Sequence, residues 1–526
     1  METGIEALTP ALLHQVQARI EAAIVPAMAR IYGHGGTTPP EGFRPGLKPI
    51  ERVVSYYDYA ACGLSVLAVA AAKGDAEAAR LVRVVQDCLD VYRTHIQGHE
   101  VPGTGVWSVP LRRVLLHLAL AYRTLAPGMG AAERQRCEEL AAQQVPLVIG
   151  HCEGFLPGRT DLHLARVNNH TAIFMQGLYY CGQVFGRPEW TAMAVDFAGR
   201  YYDSGHEDGY FEEHTNAERE GGPSLVYTPL TAGCLYDVLG GPHRRWPKLV
   251  RAGDCFRSLL NEHRQMIPLA DERTNSAGAW ACYGLALHSM TPRGRAFIAE
   301  SLASFCPETA GPEELAVVHH ELDLMITGSG AVPEYRSDGG TRLFLPLGIL
   351  RGHGFTAGLS ALRALNRVIA PDSDYALDQQ SMVYLAHGQS GVLLTGVKSK
   401  RDPGYSTFRV DDDAYTVRTG TLTMGQDWAE ARLAYGTFQA TARWELGAVA
   451  RLILTVDTDR PVVTTLATGP AVEVSAPVPC QRIQLAGFSP YSQGNQAESV
   501  AALRWTWQRQ LTLEFAAPRQ PAVPVT

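Results

Sequence analysis

The chain has 526 residues, 46% of them hydrophobic and 19% charged, and these proportions exclude disordered and collagen-like classes. Length alone suggests two to four domains. The net charge of −7 gives no global basic field, which argues against nucleic acid as the main partner.

The chain opens on an amphipathic stretch, 5–31, that contains acidic residues and lacks the continuous apolar core of a signal peptide. No run approaches the ~18 apolar residues of a membrane span. The expectation is a cytoplasmic protein as written, periplasmic or secreted if a leader has been removed, with no membrane partner. Apolar residues then recur at three- and four-residue spacing as far as about residue 370, broken by Gly, Pro and Asn. This predicts helices over 8–32, 53–73, 76–97, 110–125, 131–149, 170–185, 190–202, 224–239, 246–262, 276–289, 292–305, 312–325 and 356–368. No fixed-period consensus relates them, so a closed α/α toroid, an incomplete barrel of helices, is favoured over an open solenoid array. Ten cysteines are scattered singly, as in Asp87-Cys88-Leu89 and Tyr180-Cys181-Gly182, with no C-x-x-C pair. They are expected as buried free thiols.

Near Pro371-Asp372-Ser373-Asp374 the pattern changes to period two. Segments 381–398, 414–424, 437–446, 451–456, 461–466 and 500–515 are rich in Val, Thr, Leu, Tyr and Trp, bounded by Gly and Asp. They predict an antiparallel β-sandwich. The expected division is a helical domain over 1–372 and a sandwich domain over 373–526.

Two stretches in the helical part carry polar residues at predicted helix starts. The first is Arg166-Val167-Asn168-Asn169-His170, leading into an apolar helix. The second is Asp208-Gly209-Tyr210-Phe211-Glu212-Glu213-His214, continued through Glu218 and Arg219 to Ser224-Leu225-Val226-Tyr227. Taken alone, an Asn here is a helix cap, the acidic residues form a solvated loop and Tyr227 is a core residue.

Together these motifs resemble those of the polysaccharide lyases with an (α/α) toroid fold, a group that includes alginate, glucuronan, heparinase-type and chondroitin-type lyases. The specific resemblance covers about 166–237, and a β-sandwich after the toroid also belongs to many of that group. It implies β-elimination on a uronic acid, with Asn169 neutralising the carboxylate, His170 as base or second neutraliser, and Tyr227 as acid or as both acid and base. It implies further that Arg219 sits over the carboxylate or Tyr227. His214 competes with His170 as base, because chondroitin-type lyases use a histidine after a similar Asp-Gly motif; His170 is preferred because it directly follows the Asn pair. The chemistry fits these residue types: amide, imidazole and guanidinium donors can hold the enolate-like charge that develops when a proton next to a carboxylate is removed. A histidine or a tyrosine can move the protons.

Arg166, Asn168, Glu212 and Glu213 join the expected substrate-binding set, together with Tyr57 and Trp107 as stacking platforms and Arg342 from the cleft rim. His319-His320-Glu321 lacks the H-E-x-x-H spacing of a zinc site, and adjacent helical histidines face different ways, so no metal and no cofactor is expected. The expected partner is an anionic polysaccharide or oligosaccharide. An alginate- or glucuronan-type polyuronate is favoured, with a glycosaminoglycan as the other option. The alternatives are a glycoside hydrolase using a carboxylate pair from Asp208, Glu212, Glu213 and Glu218, or a non-catalytic carbohydrate-binding protein.

Overall fold

The helical segments begin and end where local chemistry places them. α1 (Pro10–Tyr32) starts with Pro10, whose missing N–H costs nothing there, and is capped by Thr9, whose hydroxyl accepts from the Leu12 amide at 3.2 Å. α2 (Pro49–Ala72) is followed by α3 (Ala76–Val91), capped by Asp75, and by a single π turn at Tyr92–Ile96. α4 (Val114–Leu125), α5 (Ala131–Phe155), α6 (Asn169–Val184), α7 (Pro188–Ser204), α8 (Tyr227–Val238), α9 (Pro247–Ser258), α10 (Pro292–Ser304) and α11 (Pro312–Thr327) complete the series. The computed structural model describes residues 8–44, 49–96, 112–155, 169–211, 227–240, 247–267, 269, 283–328, 341–344, 347–361, 383–394, 407–410, 413–414, 417–469, 472–486 and 499–516.

These residues divide into two compact units. The first gathers those up to 211, 227–254 and 283–328; the second gathers 255–269 and 341–516.

In the first unit, contacts between pairs of side chains fix the relative directions of five helices. Asp58 of α2 meets Arg112 just before α4, and Ser65 meets His117 a turn or more further along both. Gly177 of α6 lies against Leu115, and Tyr122 packs on Phe185 just past the end of α6. Gln176 of α6 meets Cys234 of α8, and Tyr180 meets Asp237. Arg113 pairs with Glu313 of α11, and Arg123 with Asp323. In every pair both contacts advance together, so α2, α4, α6, α8 and α11 run parallel with their N-termini at one end of the unit. α5 runs against α6: His151 and Cys152, near its C-terminal end, meet Phe174 and Thr171 near the start of α6. Arg52–Ala72 is long and apolar enough to cross a membrane, contrary to the expectation above, and 72% of its most apolar window is buried in the core. All the described cysteines are free, and seven of them are buried.

The second unit is antiparallel. β1 (Arg342–Phe344), β2 (Leu347–Gly352), β3 (Phe355–Ser360), β4 (Val383–His387) and β5 (Gly391–Leu394) form one sheet in sequence order. Further strands are β6 (Arg409–Val410), β7 (Asp413–Ala414), β8 (Thr419–Met424), β9 (Trp428–Ala434), β10 (Gln439–Leu446), β11 (Val449–Val456), β12 (Val462–Ala467), β13 (Val474–Ser475), β14 (Cys480–Ala486), β15 (Ser499–Trp507) and β16 (Gln510–Ala516). They pair as a six-stranded sheet, β13-β16-β11-β10-β9-β8, and a five-stranded sheet, β14-β15-β12-β6-β7. Alternation along β10 and β11 sends every second side chain into one apolar core shared by the three sheets. Fully buried Trp444 donates its indole N–H to the Gly358 carbonyl at 3.0 Å, joining β10 to β3.

The helix expected over 356–368 is corrected: its first residues are β3, every one of them buried. A run with both faces buried is apolar throughout, and its spacing does not distinguish helix from strand. The first strand, at Arg342, also lies before the expected domain limit at residue 372.

Candidate active site

Asn169 and His170 form the first turn of α6, and Tyr227 is the first residue of α8. Asn169 is buried, whereas His170 and Tyr227 are half-buried. The cross-links between the helices bring these starts to one level. The Gln176 Oε1 accepts from the Cys234 thiol at 3.4 Å, and each residue stands two helical turns beyond its own helix start. Deeper along the same pair, Asp237 accepts from Gln176 Nε2, from the Tyr180 hydroxyl and from His320 Nε2, all at 2.8 Å. This buried carboxylate fastens α6, α8 and α11 together and holds the two helix starts side by side. Parallel helix N-termini present unpaired N–H groups and positive dipole ends, which favour an anion.

The Asp-Gly motif is anchored beside Tyr227. Gly209 has φ +90°, and a Cβ there would overlap the Ala252 amide in α9. Tyr210 and Phe211 are buried, and the His206 ring stacks on Tyr210 at 4.3 Å. Thr228, the neighbour of Tyr227, receives the Phe211 N–H at 3.4 Å and donates to the Phe211 carbonyl at 3.2 Å. Lys248 closes the C-terminal end of α7 by donating to the carbonyls of Tyr202, Asp203 and Gly205 at 2.8 to 3.2 Å. Asp208 itself lies in this turn, 3.4 Å from His206 Nδ1.

Of the other expected site residues, Arg166, Asn168, Trp107, Glu212, Glu213, His214 and Arg219 lie outside the described residues, as does Glu218. Tyr57 is corrected. It is fully buried, its hydroxyl donates to the Thr37 carbonyl at 2.9 Å, and its ring packs against Tyr56 and Tyr92. Burial pushes its hydroxyl up to about 12, so it is a core tyrosine with no ring face for a sugar. Arg342, in the second unit, lies with its guanidinium 5.0 Å over Phe344. His319 faces Glu21 at 3.4 Å, His320 faces Asp237, and the Glu321 carboxylate accepts the amides of Gly284 and Ala286 at 2.7 and 2.6 Å. The three diverge, and among the described residues no group of three or more His, Cys, Asp or Glu is placed to hold a metal ion.

Sequence reasoning missed His151, whose ring lies 6.5 Å from that of His170; burial pushes it down to about 4, so it is neutral near pH 7. It missed Asp237 and Gln176 too, although a lone acid inside the apolar Leu230–Val238 run signals a buried partner. It also missed Arg112-Arg113, two cations at a helix start, where the dipole disfavours them unless carboxylates are close.

No protein-family profile matches the sequence, and no curated protein matches it. Solved structures do. A chondroitin AC lyase from Streptomyces coelicolor A3, solved with chondroitin sulphate, is similar over 98% of this chain and 80% of its own, with a TM-score of 0.56 and 14% identity. A heparan sulfate lyase from Pedobacter heparinus is similar over 97% and 89%, with a TM-score of 0.54 and 11% identity. A xanthan lyase from Paenibacillus is similar over 97% and 60%, with a TM-score of 0.55 and 10% identity. At such identities the likeness establishes a shared fold.

Proposed function

We propose that this chain, which has the fold of polysaccharide lyases, is itself such a lyase: an (α/α) toroid followed by a β-sandwich, cleaving a uronic-acid-containing polysaccharide by β-elimination. The observation that carries the reading is the parallel α6 and α8 pair, which brings Asn169 and His170 to the level of Tyr227 at one end of the helical unit. In the proposed reaction Asn169 donates to the substrate carboxylate and holds the charge that develops on it. His170, His214 or Tyr227 takes the proton next to that carboxylate. The electron pair forms a carbon–carbon double bond as the glycosidic carbon–oxygen bond breaks, and Tyr227 delivers a proton to the leaving oxygen. No water is consumed and no cofactor takes part. Arg219 assists at the carboxylate or at Tyr227. An alginate- or glucuronan-type polyuronate is the favoured substrate, because the Asn-Asn-His and Arg-to-Tyr arrangement resembles enzymes of that kind. Glycosaminoglycans, the substrates named for two of the structural neighbours, are the second candidate.

The test is a screen of polyuronates and glycosaminoglycans, read by the ultraviolet absorbance of the new double bond. Wild type is expected to produce it. Tyr227→Phe is expected to lower the rate by about 10²- to 10⁴-fold; full activity in that variant sinks the assignment.

A further inference from the structure

A second polar cluster stands at the same end of the helical unit. Arg112 donates through Nε and a terminal nitrogen to Oδ2 of Asp58, at 3.1 and 2.8 Å, so a single oxygen takes both bonds. The other oxygen, Oδ1, is buried and has no hydrogen-bond partner, although Asp58 is only 3% exposed. A buried carboxylate oxygen without a donor is costly, and its natural complement is a hydroxyl. The Arg112 side chain, by contrast, remains 36% exposed. Beside it, buried Arg113 donates to Glu313 at 3.1 Å and faces the Tyr283 ring at 5.8 Å, while Arg44 donates to the Tyr59 hydroxyl at 3.1 Å. Burial alone would raise the Glu313 carboxyl, yet Arg113 and Arg112 outweigh it and hold it below its usual value. Arg112, Arg113 and Arg44 thus gather around Asp58 and Glu313, with Glu314 beside them, at the end of the unit where Asn169 and Tyr227 lie. Arg113 also lines a cavity with Gln176, Leu230 and Cys234, which links this cluster to the α6 and α8 pair.

We infer that Asp58 and Arg112 form a subsite for an acidic sugar next to the reacting one: the exposed guanidinium edge of Arg112 takes the sugar's carboxylate or sulfate, and Oδ1 of Asp58 accepts from one of its hydroxyls. This rests on the lyase reading. It makes Arg112 a binding residue rather than a group that handles protons. A planar guanidinium can hold Asp58 with one edge and an anion with the other; an ammonium cannot span both.

The experiment measures retardation of the full-length protein in native gels cast with a polyuronate, with chondroitin sulfate or with a neutral glucan. It uses wild type, Arg112→Gln and Arg112→Lys, each also in a Tyr227→Phe background so that turnover does not remove the glycan. Both Arg112 variants are expected to bind acidic glycans about tenfold more weakly, with less loss on raising the salt, and to show no change toward the neutral glucan. In turnover, KM is expected to rise more than kcat falls. The polyuronate and chondroitin sulfate arms separate a carboxylate from a sulfate ligand. Unchanged retardation by acidic glycans in Arg112→Lys overturns the subsite, including where Arg112→Gln does not fold. Retardation of Tyr227→Phe without ultraviolet product from wild type contradicts the lyase reading but still decides the subsite through the variants, whereas no retardation of Tyr227→Phe by any acidic glycan overturns the subsite, and with no ultraviolet product from wild type it overturns both.

Discussion

Tyr227 and Asn169 divide the proposed chemistry between a proton donor and a charge stabiliser. Removing the amide in Asn169→Ala should lower kcat by about 10²- to 10³-fold with a smaller change in KM, because the charge it holds develops only in the transition state. Steady-state kinetics on the preferred glycan check this; a change confined to KM would assign Asn169 to ground-state binding. Glu321 is the residue whose titration should be visible in stability. Burial raises its carboxyl to about 7 from 4.5, despite the two backbone amides that favour the ionised form. The folded state therefore keeps a proton that the unfolded chain releases, so this contribution is complete below about pH 4.5 and is lost as pH rises through about 7. Glu321→Gln cannot lose it. Relative to wild type the variant should gain stability between about pH 5 and about pH 8, by a few kcal/mol at most. Urea midpoints at the two pH values measure the difference, and parallel pH dependences in the two proteins contradict it.

Among the elements, the anchored Asp208–Phe211 turn shows what the sequence made legible and what it hid. Asp-Gly reads as a turn from composition alone, and helix starts such as Tyr227 follow from periodicity to within a few residues. The approach of Gly209 to Ala252 and the bond from Thr228 to Phe211 join residues far apart in the chain, and no local pattern announces them. Tyr57 was misread for a related reason. Tyr56-Tyr57-Asp58-Tyr59 places an aromatic on every face of one helical turn, and only packing separates the core rings from any that meet a ligand. β3 was lost to a helix because all six of its residues are buried. Gly209→Ala should destabilise the protein by about 2 kcal/mol or more, since a side chain there meets both a left-handed backbone and the α9 backbone. It should also depress activity by loosening the segment tied to Tyr227. Denaturant unfolding and kinetics check both effects, and a neutral Gly209→Ala would mean that the turn relaxes freely.

For the whole molecule, the change from helices to antiparallel strands was readable because the hydrophobic period changes from three and four to two along the chain, and that change survives any error in individual boundaries. The common direction of α2, α4, α6, α8 and α11 was not readable, because it is recorded in pairs such as Arg113 with Glu313 and Tyr180 with Asp237, whose partners only the fold brings together. Asp237 is the clearest case. Asp237→Ala strands three donors in the interior and should cost about 3 kcal/mol or more, while Tyr180→Phe, which removes one donor, should cost about 1 to 2 kcal/mol. Thermal unfolding of both variants measures the ratio, and equal small losses would show that the carboxylate is not what holds the helices together. The central claim is that this helical frame carries elimination rather than hydrolysis, and the most direct measurement is digestion of the preferred acidic glycan in water enriched in heavy oxygen, with the products read by mass. The account predicts no label at the cleaved bond and a new non-reducing end lighter by one water; label at that bond with no unsaturated end would contradict it.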